Sequence, residues 1–211
     1  MVFPEFFYIF IKNNVTMKIS ITEEKLKKEL NTFWENVHFC GLDYYLINDV
    51  KDGINKGLET ASCALSDDTG CAYPGSLVVH INLLTAIAKR LAKIISGTFN
   101  IDEGSLVKVC LLQHLSKIDM YEPNDNQWEI NNRGLNYKFV ELKGKLKFGE
   151  RSILNAMNLG IKLLPEEFEA IKCLDNEKDG NSKYGDCILT TIVRQANELA
   201  YAIEKEKYNK I

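Results

Sequence analysis

The chain has 211 residues, with 26 Lys+Arg against 29 Asp+Glu and so a formal net charge of −3. Hydrophobic residues at 45% and charged residues at 26% match ordinary globular usage, which excludes wholesale disorder, a collagen-like repeat and a polytopic membrane protein. A near-neutral chain can meet nucleic acid only through a local patch, so a strongly basic binder is disfavoured and no nucleic-acid surface stands out.

Residues 1–16 read as a short lead-in strand or an over-extended start, with Met17 as the alternative opening. The run Phe6-Phe7-Tyr8-Ile9-Phe10-Ile11 is only about a third of a membrane span and follows Glu5 where a signal peptide would have a basic region. Residues 17–211 are expected to form a single domain away from membranes. The six cysteines have irregular spacing and no C-x-x-C pair, so they read as reduced thiols of a cytoplasmic protein. Most fit as small buried hydrophobes, but Cys63 and Cys71 lie in a polar loop and could be exposed.

Thr22 is a candidate N-cap for a first helix, with Leu26, Leu30, Phe33, Trp34 and Val37 at helical spacing. A second amphipathic stretch runs from about Tyr45 to Thr60, followed by a polar loop over Ser62–Pro74 that ends in a Pro-Gly turn signal. The helix that restarts near Ser76 is apolar on more than one face and reads as buried, with Gly97 ending it. Another apolar helix begins near Asp102–Ser105 and carries Cys110, Gln113, His114 and Lys117. Between Tyr121 and Phe148, turn signals rich in Asn, Gly and Lys separate short alternating runs, which predicts a small β-hairpin at about 127–148. Helices are expected again at Glu150–Leu159, at Pro165–Lys172 with Pro at its first position, and at about Tyr184–Lys207. The expected fold is all-α, decorated by one hairpin.

No Walker A sequence, no G-x-G-x-x-G and no HExxH helix occurs. His80 and His114 stand out because each lies in an apolar helical stretch, where a polar ring needs a partner. The segments YPGSLVVH ending at His80, LLQHLSKI from Leu111 to Ile118, KFGE from Lys147 to Glu150, and RQANELAYAI from Arg194 to Ile203 follow in an order that resembles the HD-domain phosphohydrolase superfamily. The resemblance covers about Thr60 to Ile203 and implies an HD-like helical bundle, with the hairpin as an insertion.

Against the family pattern, His80 matches the first metal-ligating His. Gln113 and His114 stand where its His-Asp pair belongs, Phe148 where a later His is often found, and Asn197 at its last Asp. A hard divalent ion prefers anionic oxygen, so replacing two Asp positions by His114 and Asn197 should collapse both metal affinity and hydroxide generation. The reading is therefore a non-catalytic relative needing no cofactor. Its pocket, formed by His80, Gln113, His114, Lys117, Glu150 and Asn197, is neutral to basic and suited to a phosphate-bearing small molecule such as a nucleotide.

Two other readings stay open. A divergent phosphohydrolase or phosphodiesterase could retain Mn, Fe, Mg or Zn; Cys110 and His114, four apart, would share a helix face and with His80 offer a zinc set. A structural or regulatory partner, such as a homodimer, could simply have filled the old site. Individual residues carry plainer alternatives too. Lys117 could meet a phosphate or complement a helix end, and Glu150 could orient His114 or serve as a first-turn acid. Lys143, Lys145 and Lys147 alternate as a phosphate-facing or solubilising stripe, and Phe33, Trp34, Tyr44 and Tyr45 are core or a partner surface.

Overall fold

Thr22 opens the first helix, α1 (Glu23–Phe39), its hydroxyl accepting the Lys25 N–H at 3.3 Å in place of an intrahelical carbonyl. The computed structural model describes residues 20–46, 48–141, 146–173 and 187–210, so the lead-in at 1–16 and the lysines Lys143 and Lys145 lie outside the described residues. Phe33 and Val37 of α1 enter the core, whereas Tyr44 is exposed and meets Tyr45 edge-on. Helix α2 (Asn48–Thr60) starts three residues later than its periodicity suggests, because Leu42–Tyr44 forms a separate 3-10 turn.

The central element is α3 (Ser76–Ile95), which packs against α1, against α4 (Glu103–Leu112) and most extensively against the last helix, α8 (Ile188–Tyr208). Leu77, Val78, Ile81, Leu84 and Ala88 of α3 are buried, as its apolar run around several faces predicts. Ala196 and Ala200 on α8 are fully buried, and their small side chains let the two helices approach closely. Helices α6 (Phe148–Asn158) and α7 (Pro165–Lys172) complete the bundle, with Pro165 at the first position of α7.

The inserted element differs in form from a plain hairpin at 127–148. Its strands are β1 (Tyr121–Pro123) and β2 (Tyr137–Phe139), antiparallel with Glu122 opposite Lys138, and a short helix, α5 (Gln127–Arg133), lies between them. The Asn-rich signal before Gln127 is a helix cap: the Asn126 side chain accepts the Trp128 and Glu129 N–H groups, and Gly134 closes α5 at φ 62°. Among the described residues the fold is thus mostly helical with one two-stranded ribbon.

The loop between α2 and α3 is also different from expectation. Cys63 and Cys71 are fully buried, because this loop is sealed between α3, α8 and the ribbon. The Ser76 hydroxyl donates to the Cys71 carbonyl at 2.6 Å and accepts the Cys63 N–H at 2.9 Å, tying both ends of the loop to the start of α3. On its far side Tyr137 N–H donates to the Leu65 carbonyl, and the Asn136 amide reaches the Asp67 carboxylate. Backbone and side-chain polar groups find partners inside the protein, which permits a loop of polar composition to be buried.

Candidate functional site

Asn197, Tyr201 and Glu204 recur at i, i+4 and i+7, so they line one face of α8. His80, from the first turns of α3, meets all three. Its Nδ1 lies 2.8 Å from Glu204 Oε2, its Nε2 lies 3.0 Å from Asn197 Oδ1, and its ring centroid is 4.3 Å from that of Tyr201. His114 Nε2 also lies 3.0 Å from Asn197 Oδ1, with the two imidazoles 5.0 Å apart. A carboxamide oxygen only accepts, so both Nε2 atoms present N–H to it and neither keeps a lone pair there.

The expected single helix through Cys110 and His114 is interrupted. Helix α4 ends at Leu112, Gln113 caps it, and His114 takes a φ of −102° before a 3-10 turn at Leu115–Ile118. The Cys110 thiol is buried and bonds with Thr85, and burial pushes its pKa up to about 12.

Lys117 lies in the last turn of the 3-10 segment Leu115–Ile118 and is only 8% exposed. Its Nζ donates to the Cys63 carbonyl and to the Tyr201 hydroxyl, each at 2.8 Å, and lies 3.9 Å from Cys63 Sγ. The Tyr201 hydroxyl is 3.4 Å from the same sulfur. Phe148 gives Lys117 a ring face at 5.6 Å, and Tyr121 and Phe139 continue that aromatic wall outward. The Gln113 amide is fully buried, and neither its nitrogen nor its oxygen has a hydrogen-bond partner among the described residues. Glu150 accepts the Lys147 N–H at 3.2 Å across the start of α6, the geometry of a first-turn acid. The third histidine, His38, is exposed and paired with Asp43.

Burial opposes charge on His80, but the Cys63 sulfur and the Glu204 carboxylate outweigh it and raise its pKa to about 10. Burial, with the Lys117 and His80 charges added, holds His114 well below its ordinary value, so this ring is neutral. Burial would also raise the Cys63 pKa, yet the Cys71 thiol, the His80 ring and the Lys117 ammonium together hold it well below 9.0. Burial raises Glu204, and the Cys71 thiol lies beside its carboxylate.

A pH profile of stability follows. Below pH 6.5 the unfolded chain takes up a proton at His114 that the folded chain does not hold. His114 is a depressed group, so the stability it contributes is lost as pH falls, by up to about 1.4 kcal/mol per pH unit. Glu204, being raised, works in the opposite sense just above 4.5 and makes that limb shallower. Cys63, lowered, loses stability as pH falls from 9.0, and His80, raised, loses it as pH rises from 6.5, so the two oppose each other between those values. Denaturant titrations across this range test the profile; stability that is flat or rising below 6.5 contradicts it.

Comparison of the chain with known protein families, with characterised proteins and with solved structures returned no match. Among the described residues no group of three or more His, Cys, Asp or Glu is arranged to hold a metal ion, and no helix is long and apolar enough to cross a membrane. The site brings together His80, His114 and Asn197, with Lys117 joined through Tyr201. It adds three residues that sequence reasoning passed over: Cys63, Tyr201 and Glu204. A helical stripe through Asn197 would have found the last two; nothing local marks Cys63.

Proposed function

We propose that this is an HD-domain-like protein whose site works without a catalytic metal and binds the phosphate of a small molecule, such as a nucleotide, against Lys117. The observation that carries this reading is a buried ammonium with no carboxylate within ion-pair distance among the described residues. Its hydrogen-bond partners there, the Cys63 carbonyl and the Tyr201 hydroxyl, are neutral acceptors that leave the ammonium charge open to an anion. The buried Gln113 amide, four residues before Lys117, offers an unpartnered donor and acceptor, and the partly exposed Phe139 and Phe148 rings offer a face for a base. The Asn197 oxygen, holding both imidazole N–H groups, supports a site that has exchanged metal binding for an internal hydrogen-bond network.

Thermal stabilisation and calorimetry with inorganic phosphate and nucleoside phosphates test the proposal. Lys117→Met is expected to weaken phosphate binding at least about tenfold, the loss of one charge-assisted contact. No binding by the unaltered protein at millimolar phosphate or nucleotide would overturn it. The divergent hydrolase is the second reading, favoured by the convergence of His80, His114 and Asn197 at one point. It predicts stoichiometric Mn, Fe or Zn in the purified protein, lost on His80→Ala. The triple change Gln113→His, His114→Asp and Asn197→Asp checks the register of the resemblance, because it should create metal binding where the native protein has none.

A further inference from the structure

We infer that Cys63 and Cys71 form a dithiol site that a small hydroperoxide converts to an intramolecular disulfide. The two cysteines enclose one loop, and the Ser76 hydroxyl clamps the Cys63 N–H and the Cys71 carbonyl within 2.9 Å and 2.6 Å of a single oxygen. That shared oxygen sets the two residues side by side. Cys63 is the attacking sulfur, because the Lys117 ammonium at 3.9 Å and the Tyr201 hydroxyl at 3.4 Å stabilise negative charge on it. The Cys71 thiol donates to the Thr69 hydroxyl at 3.5 Å and is the resolving thiol.

The chemistry balances with hydrogen peroxide as oxidant. The Cys63 thiolate attacks one peroxide oxygen and the O–O bond breaks. Hydroxide leaves, takes a proton within the Lys117–Tyr201 pair's reach, and departs as water. The resulting Cys63 sulfenic acid is attacked by the Cys71 sulfur, which sheds its proton; the S–O bond breaks and a second water leaves. Two electrons pass from the sulfurs to the peroxide. Both sulfurs are fully buried, so a molecule little larger than water is the fitting oxidant, and a bulky disulfide such as oxidised glutathione is not. Cys110 and Cys40 lack this setting, since burial raises the pKa of both.

The test treats the reduced full chain with hydrogen peroxide, blocks free thiols in denaturant and maps peptides by mass. Both cysteines fall in one tryptic peptide, Gly57–Lys89, which should lose the mass of two hydrogens and stay joined after cleavage at Asp67 or Asp68. Cys40, Cys110, Cys173 and Cys187 should remain alkylated. In Cys71→Ser protein, a sulfenic-acid trap should label Cys63 ahead of the other four thiols. Lys117→Met should slow disulfide formation by about tenfold if it folds, the loss of one charge-assisted contact to the negative charge at Cys63. Alkylation of Cys63 and Cys71 to the same extent as Cys110, a disulfide between other cysteines, or trapping away from Cys63 overturns the inference.

Discussion

Glu204→Ala is expected to lower stability by about 3–5 kcal/mol, the cost of removing one partner from a buried ion pair. Glu204 is 6% exposed and its Oε2 meets His80 Nδ1 at 2.8 Å, while His80 itself has no exposure. Removing the carboxylate leaves a protonated imidazole with its Nδ1–H unmatched in a low-dielectric interior, or forces the ring to give up a proton it otherwise keeps to a pKa of about 10. Glu204→Gln retains the volume and one acceptor and should cost about half as much. Replacing both partners together, His80→Leu with Glu204→Leu, should recover most of the loss, because it also removes the desolvation penalty. Denaturant unfolding of the four proteins measures this; a Glu204→Ala protein within about 1 kcal/mol of the parent would contradict the pairing.

Gly70→Ala should cost about 2–4 kcal/mol, more than a positive φ alone explains. Gly70 closes the 3-10 turn Asp67–Thr69 at φ 75°, its N–H donating to the Asp67 carbonyl at 2.9 Å. A Cβ there would overlap the Glu204 backbone carbonyl, and helix α8 cannot shift its main chain as a flexible side chain could. Gly41, at φ 72° with open space around it, is the control: Gly41→Ala carries only the conformational term of about 1 kcal/mol. The difference between the two variants isolates the contact that seals the cysteine loop onto α8. Equal effects would show that the loop does not rest there.

The parts of this protein that could be read from sequence are those encoded over one or two helical turns. Thr22 caps α1, Pro165 starts α7, and the run from Leu77 to Ala88 is buried, because caps, fixed φ and periodicity act between residues three or four apart. The same local reasoning failed where two local rules competed. Asn126 looked like part of a turn between strands and proved to cap α5, since its side chain satisfies two free N–H groups at a helix start. Cys110 and His114 looked like members of one continuous helix, but α4 ends at Leu112 and His114 lies in the turn beyond it.

By itself the sequence determined a mostly helical chain, its principal helices and the two histidines in apolar surroundings that had to find partners. Tertiary structure alone decided who those partners are. His80 meets Asn197 and Glu204 across 117 and 124 residues of chain, and Lys117 meets Cys63 and Tyr201 across 54 and 84. Such contacts follow from how α3, α8 and the cysteine loop pack, and packing is set by the whole core at once, so no window of sequence contains the information that places a buried charge beside its counter-charge.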